Sequence, residues 1–159
     1  MSKPAGYTLF QITLHWLIGL LFLFQFLTGD AMGEVWDKVE KGGDAASTPH
    51  VWAGVTILIL AIIRIAIKVQ RGSPELPADQ PAWQKMAAHA THGILYLLML
   101  VIPLSGMAAW FMGLKISAEF HEAMTGVFLF VFAVHFVGAL YHRFVLKSGV
   151  MERMLKPAK

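Results

Sequence analysis

The chain has 159 residues, 57% of them hydrophobic, with only 14% charged and no cysteine. That charge content is far below the roughly 25% of a soluble domain, and the missing thiols exclude thioether-linked cofactors, iron–sulfur clusters, thiolate zinc sites and disulfides. The formal charge is +3 with a pI near 9.3, yet the basic residues form no continuous patch with interleaved aromatics, so no nucleic-acid partner is expected.

The length allows one domain, residues 1–159. The mean hydropathy of +0.60 comes from four apolar blocks, each near the roughly 20 residues a bilayer-spanning helix needs. The first predicted span runs from Phe10 to Thr28 and the polar stretch Gly29 to Pro49 reads as a loop. Lys3 before this span and Ala31-Met32-Gly33 after it imitate a secretory signal. The block is long for a signal core and carries a histidine, so it is read as a retained span. The second span runs from Val51 to Val69, followed by a stiff connection, Gln70 to Lys85, with Pro74, Pro77 and Pro81. The third runs from Ala90 to Met112. Pro103 inside it removes one ladder hydrogen bond and predicts a kink, with Gly106 one turn on. A connection from Gly113 to Glu122 leads to the fourth span, Ala123 to Val145. The expected fold is an all-α membrane protein, a bundle of four transmembrane helices in contact with lipid. Trp16, Trp36, Trp52, Trp83 and Trp110 fall near the predicted interfaces, as an aromatic belt would.

An even number of spans puts both termini on one side. That side, with the second connection, holds Lys3, Arg64, Lys68, Arg71, Lys85, Arg143, Lys147, Arg153, Lys156 and Lys159 against Glu75, Asp79 and Glu152. The opposite side holds Lys38, Lys41 and Lys115 against Asp30, Glu34, Asp37, Glu40, Asp44, Glu119 and Glu122. The positive-inside rule therefore predicts both termini in the cytoplasm.

Seven histidines are a heavy load for such a chain, because ionisable groups within spans are costly and tend to be functional. His121 and His135 lie fourteen residues apart, four turns of 3.5, so both rings share one face of a single helix about 21 Å apart along its axis. His15 opens the first span and His50 the second. By depth, His15 and His135 share the cytoplasmic level, and His50 and His121 the opposite one. Two neutral imidazoles at one level suit the axial positions of a haem iron, which supports electron transfer and blocks oxygen binding. Four candidate metal ligands thus imply two haem b groups stacked across the membrane. Glycine recurs beside them, Gly19 after His15, Gly54 after His50, Gly126 after His121 and Gly138 after His135. The missing Cβ would admit a flat macrocycle, though small residues also favour helix packing.

His89 and His92 open the third span at the cytoplasmic level. Either could replace His15 or His135 as a ligand, or line a quinone or proton site near the inner haem, or be a wetted interfacial histidine; His92 is the stronger candidate for cofactor binding. His142 reads as interfacial. Arg64 and Lys68 close the second span and could bind haem propionates or snorkel to lipid phosphate, with Arg64 the better propionate candidate. Lys115 reads as a solvated loop lysine. No nucleophile–base set and no HExxH motif point to a hydrolase. A haem-free proton- or metal-handling protein would want carboxylates inside the spans, which are missing.

The segments Gln11-Ile12-Thr13-Leu14-His15-Trp16, His50-Val51-Trp52-Ala53-Gly54, Ala88-His89-Ala90-Thr91-His92-Gly93 and Phe120-His121-Glu122 occur in order, followed by His135 with Tyr141-His142-Arg143. Together they resemble the bacterial cytochrome b561 family, four-helix dihaem b proteins of the inner membrane. By position, the resemblance implies His15, His50, His121 and His135 as haem ligands. It further implies either superoxide oxidation with ubiquinone as acceptor, or electron transfer to or from quinone as a subunit anchoring a dehydrogenase or hydrogenase. The donor is then a small molecule or a protein. Two positions depart from the family pattern: Leu9 stands where an arginine is frequent, and Phe120 where a tryptophan often precedes the histidine.

Overall fold

The computed structural model describes residues 4–42, 48–78 and 80–158. Four of the charges used in the orientation argument, on Lys3, Asp44, Asp79 and Lys159, therefore lie outside the described residues.

Helix α1 spans Leu9–Glu40. Thr8 caps it in a reciprocal box: the Gln11 amide donates to Thr8 Oγ1 at 3.3 Å, and the Thr8 amide donates to Gln11 Oε1 at 3.0 Å. Its 32 residues reach about 48 Å, well beyond a hydrocarbon core of about 30 Å. The stretch after Gly29, expected as loop, is helical as far as Glu40. No proline interrupts it, and charged residues end contact with lipid without ending a helix. Gly42, with φ of +85°, stops it.

Helix α2 spans Pro49–Arg71, with Thr48 Oγ1 accepting from the Val51 amide at 3.4 Å and proline at the first position. It ends at Gly72, φ +77°. Helix α3 spans Ala82–Met112 and α4 spans Lys115–Phe144. Both begin eight residues before the predicted apolar blocks. The expected connection Gly113 to Glu122 shrinks to Gly113 and Leu114, because Lys115 to Glu122 contains no breaker. Pro103 is accommodated inside α3 without ending it.

Each of the four helices is long and apolar enough to cross a bilayer. Much of their apolar surface points outward, as at Leu20, Leu27, Ile59, Phe130 and Val137. The helices pack in chain order, α1 on α2, α2 on α3 and α3 on α4. At mid-depth, Ile18, Ala61, Leu98, Met99, Ile102 and Phe128 form a buried cluster. There α1 meets α4 through Phe22 and Phe128, stacked with ring centres 4.2 Å apart.

The termini lie at one end of the bundle, where a short 3₁₀ turn, Glu152–Met154, folds back across it. Trp16 Nε1 donates to the Met154 carbonyl at 2.8 Å, and the Ala158 amide donates to the Tyr7 carbonyl at 3.0 Å. An Arg143–Glu152 ion pair and a bond from Arg153 to the Glu75 carbonyl complete this closure. Trp16, expected only as an interface anchor, is thus also tied to the tail.

Phe128 is the one buried residue of α4 among those described. Replacing it with alanine is expected to lower stability by about 1–3 kcal/mol in chemical unfolding in detergent. That is less than the roughly 3–5 kcal/mol of a soluble core, because lipid or detergent solvates apolar groups in the separated helices too.

Candidate functional site

Alternating helix directions bring four histidines to two levels. At the terminal end, where the chain begins and finishes, α1 supplies His15 and α4 supplies His135. Their ring centres are 6.2 Å apart with planes crossed at 75°. At the far end, α2 supplies His50 and α4 supplies His121, 6.3 Å apart and crossed at 68°. All four side chains are half-buried. Phe128 stands seven residues from both His121 and His135, so the stacked phenyl rings lie about 10 Å in depth from each pair.

The ring separations test what the pairs could hold. Two imidazoles bonded through nitrogen to opposite sides of one metal, at about 2.0–2.1 Å each, set their ring centres about 6.3 Å apart. Both pairs meet that distance. Among the described residues, no three His, Asp or Glu gather to hold a bare ion. Two opposed imidazoles suit a metal whose remaining positions a macrocycle fills.

Local geometry sets the ring nitrogens. His121 Nδ1 lies 2.7 Å from the Ile102 carbonyl, which can only accept, so this nitrogen carries the proton and Nε2 has the free lone pair. Ser105 Oγ donates to the same carbonyl at 2.9 Å. Pro103, next in sequence, removes an amide donor from this turn. Gly106 supports the ring from below: a Cβ there would stand 2.9 Å from His121 Cε1 and Nδ1. At His50, Gln25 Nε2 donates to the backbone carbonyl at 3.0 Å, and Thr28 Oγ1 lies 3.4 Å from Nδ1.

His15 has a different neighbour. Arg64 Nη1 donates to the Gln11 carbonyl at 2.8 Å, one turn before His15, while Nη2 lies 3.4 Å from His15 Nδ1. Lys68 Nζ sits 4.3 Å over the Tyr96 ring. Arg64, Lys68, Tyr7, Gln11, Ser73 and Tyr96 line a cavity of about 10 Å³, room for about one water. Burial pushes the Tyr7 phenol above its usual range, against a lowering hydrogen bond from Ser73.

His92 comes within 5.1 Å of His135, ring centre to ring centre. That is too close for a metal between them, whereas the His15–His135 separation would admit one. His92 Nδ1 lies 2.6 Å from the Ala88 carbonyl, which leaves its Nε2 the free nitrogen. His89 is exposed. His142 lies at the terminal end, its Nδ1 2.9 Å from Ser148 Oγ and 3.2 Å from Gln80 Nε2, and joins the second connection to the tail. Lys115 opens α4 and so lies on a helix, not in a loop; its side chain stays exposed, as expected, while pairing with Glu40 at 2.7 Å.

The glycines divide. A Cβ at Gly54 would lie 3.1 Å from Gln25 Nε2, so that glycine serves helix packing. A Cβ at Gly19, Gly126 or Gly138 would meet no protein atom within 4 Å, so helix contact does not account for these three. Gly106, Gln25 and the Arg64–Gln11 bond were missed from sequence. Gln25, a polar residue inside an apolar run, was the available signal.

Fold and paired rings define a four-helix membrane protein whose histidines could grip a metal-bearing macrocycle at two depths. A family model described as prokaryotic cytochrome b561 matches residues 6–157, and the chain belongs to that family. It is 37% identical over 163 residues to cytochrome b562 of Cereibacter sphaeroides, covering 99% of each chain. It is 30% identical to cytochrome b561 homolog 1 of Escherichia coli, covering 94% of this chain and 96% of the other. Against the probable superoxide oxidase CybB of Yersinia pestis the identity is 27%, with 94% and 95% covered. Haem b is the cofactor this family implies, and membrane electron transfer its function.

Gly106→Ala is expected to displace the His121 ring and lower the haem content of the purified protein. Gly33→Ala, on the projecting part of α1 with no neighbour within 4 Å, is expected to leave it unchanged. Pyridine haemochromogen spectra of the two variants make the comparison.

Proposed function

We propose that this chain carries electrons across the bacterial inner membrane through two b haems, one held by His15 and His135 and the other by His50 and His121. The matched ring separations of 6.2 and 6.3 Å support this reading most. The positive-inside excess supports placing the terminal end in the cytoplasm and the far end in the periplasm. The bound cofactors supply one-electron chemistry, and the protein supplies ligation, burial and orientation.

Each residue then has a physical task. The four imidazoles would hold the two cofactors, His15 with His135 at one level and His50 with His121 at the other. The Ile102 carbonyl orients His121 through its Nδ1–H. Phe22 and Phe128 keep the two levels apart and exclude water between them. Arg64, whose Nη2 lies 3.4 Å from His15 Nδ1, is the proposed cation beside the cofactor at the terminal end. Ubiquinone is the proposed acceptor, docking at the cytoplasmic level where His92 stands beside His135. Reduction of one ubiquinone to ubiquinol takes up two electrons and two protons, and His92 Nε2 is positioned to relay a proton there.

Superoxide is the proposed donor, by analogy with the relative named a probable superoxide oxidase; two superoxide anions give up the two electrons and leave as dioxygen. One observation favours a second reading. The far end carries Glu34, Asp37, Glu119 and Glu122, mostly exposed, and this potential repels an approaching anion. A chain serving as the electron-transfer subunit of a partner dehydrogenase or hydrogenase faces no such barrier.

Purified protein is expected to carry about two b haems per chain, from four ligands at two per iron. His50→Ala or His121→Ala should reduce this to about one, and His142→Ala should leave two. Superoxide-dependent reduction of added ubiquinone by the isolated chain is the expected activity. Two haems without that activity would transfer support to the subunit reading, and fewer than two in the unaltered protein would defeat both.

A further inference from the structure

Among the described residues, two side-chain bonds to backbone carbonyls join α1 to α2, one at each histidine level, and they differ in charge. At the far end the tie is a neutral amide, Gln25 Nε2 donating to the His50 carbonyl at 3.0 Å. At the terminal end it is a guanidinium, Arg64 Nη1 donating to the Gln11 carbonyl at 2.8 Å. The Gln11 carbonyl lies one helical turn before His15. The second nitrogen of Arg64 approaches His15 Nδ1 to 3.4 Å.

A neutral histidine that offers Nε2 to a metal carries its proton on Nδ1. A guanidinium has no lone pair to accept that proton. In the geometry shown, the Arg64 contact therefore has His15 Nδ1 accepting; a ring that offered Nε2 to a metal would exchange that bond for a cation beside its N–H, with no acceptor to enrich it. His121 is treated in the opposite way, because its Nδ1–H donates to the Ile102 carbonyl at 2.7 Å. A carbonyl acceptor raises the basicity of a ligating imidazole. Basic ligands favour the oxidised metal, and a nearby fixed cation favours the reduced one.

Charge further out reinforces the contrast. Lys68, one turn beyond Arg64, adds a second cation at the terminal end, where it lies over Tyr96. Glu119 and Glu122 flank His121 on α4 at the far end.

We propose that Arg64 is a positioning residue that makes the His15/His135 site the more oxidising of the two, so that an electron shared between the levels rests at the terminal end. This inference rests on the dihaem reading above. A unit charge several ångströms from a half-buried site, at an effective dielectric constant of about 20, is worth on the order of tenfold or more in such an equilibrium. For one electron, tenfold corresponds to about 59 mV.

The test is a potentiometric titration of the holoprotein, with haem content measured on each sample. The terminal-end component is identified as the one that persists in His50→Ala. Arg64→Gln is expected to lower the midpoint of that component by about 59 mV or more, a tenfold loss of preference, and to leave the other in place. Arg64→Lys keeps the charge and is expected to hold the midpoint near its original value. If Arg64→Gln sheds the terminal-end haem, Lys68→Gln is expected to lower the same midpoint by a smaller amount with both haems retained. Two haems with an unmoved terminal-end midpoint, or an equal fall in Arg64→Gln and Arg64→Lys, overturns this inference alone. Fewer than two haems in the unaltered protein overturns the reading beneath it as well.

Discussion

Two imidazole rings held about 6.3 Å apart across a gap between helices are the constraint around which this bundle is organised. In lipid, apolar side chains gain little by leaving one apolar environment for another, so helices associate through close packing and specific polar bonds. Nothing in that physics by itself keeps α1 and α4 at a separation that sets His15 opposite His135 at 6.2 Å. The stacked contact of Phe22 with Phe128 at 4.2 Å supplies it, as a spacer that sets how near the two helices come at mid-depth. The seven-residue register of His121, Phe128 and His135 then repeats the geometry at both levels, since seven residues return to nearly the same face of a helix.

The polar ties distribute this order unequally. At the far end a carbonyl, a serine and a glycine surround one ring, so His121 is fixed in tautomer and rotation by α3 alone. At the terminal end the chain invests in closure of a different kind. The capping box at Thr8, the Arg64 bond to the Gln11 carbonyl and the Trp16 bond to the Met154 carbonyl all converge within two turns of His15. This end is held by a charged network that draws in α2 and the tail, whereas at the far end one turn of α3 sets the His121 ring and the neutral side chains of Gln25 and Thr28 meet His50.

The spans and histidine levels were legible in the sequence because each rests on a strong one-dimensional signal. Twenty apolar residues have few alternatives to a membrane helix, and helix direction converts sequence position into depth. Helix ends were less legible. Beyond Gly29 and before Ala123, hydropathy marks where lipid stops, whereas a helix stops where the backbone finds a glycine or loses its donors. Gly42, Gly72 and Gly113, all with positive φ, were the true boundaries. Gly106 was hidden for another reason: its role depends on which residue of α4 faces it, and periodicity within α3 carries no such information. The same holds for Arg64, whose long side chain could reach lipid, a propionate or, as found, the carbonyl of a neighbouring helix.

The distribution of charge links topology to chemistry. Lys and Arg collect at the terminal end, the bias that under the proposed orientation would keep it on the cytoplasmic side. Most of them lie at the water interface, where salt screens them within about a Debye length. Arg64 differs: it is half-buried, bonded to a helix carbonyl, and faces a ring that the depth argument assigns to a cofactor. Screening is weak there, so its charge acts on the site in a way the surface lysines cannot. Under the proposed orientation, the cation excess that orients the chain also favours an electron's arrival on the cytoplasmic side, where quinone would take it up. The acidic far end completes the gradient at the cost of repelling an anionic donor. That conflict is least for a donor that docks as a protein with a complementary basic face, and greatest for free superoxide. The charge pattern therefore favours transfer inward more firmly than it favours any one donor.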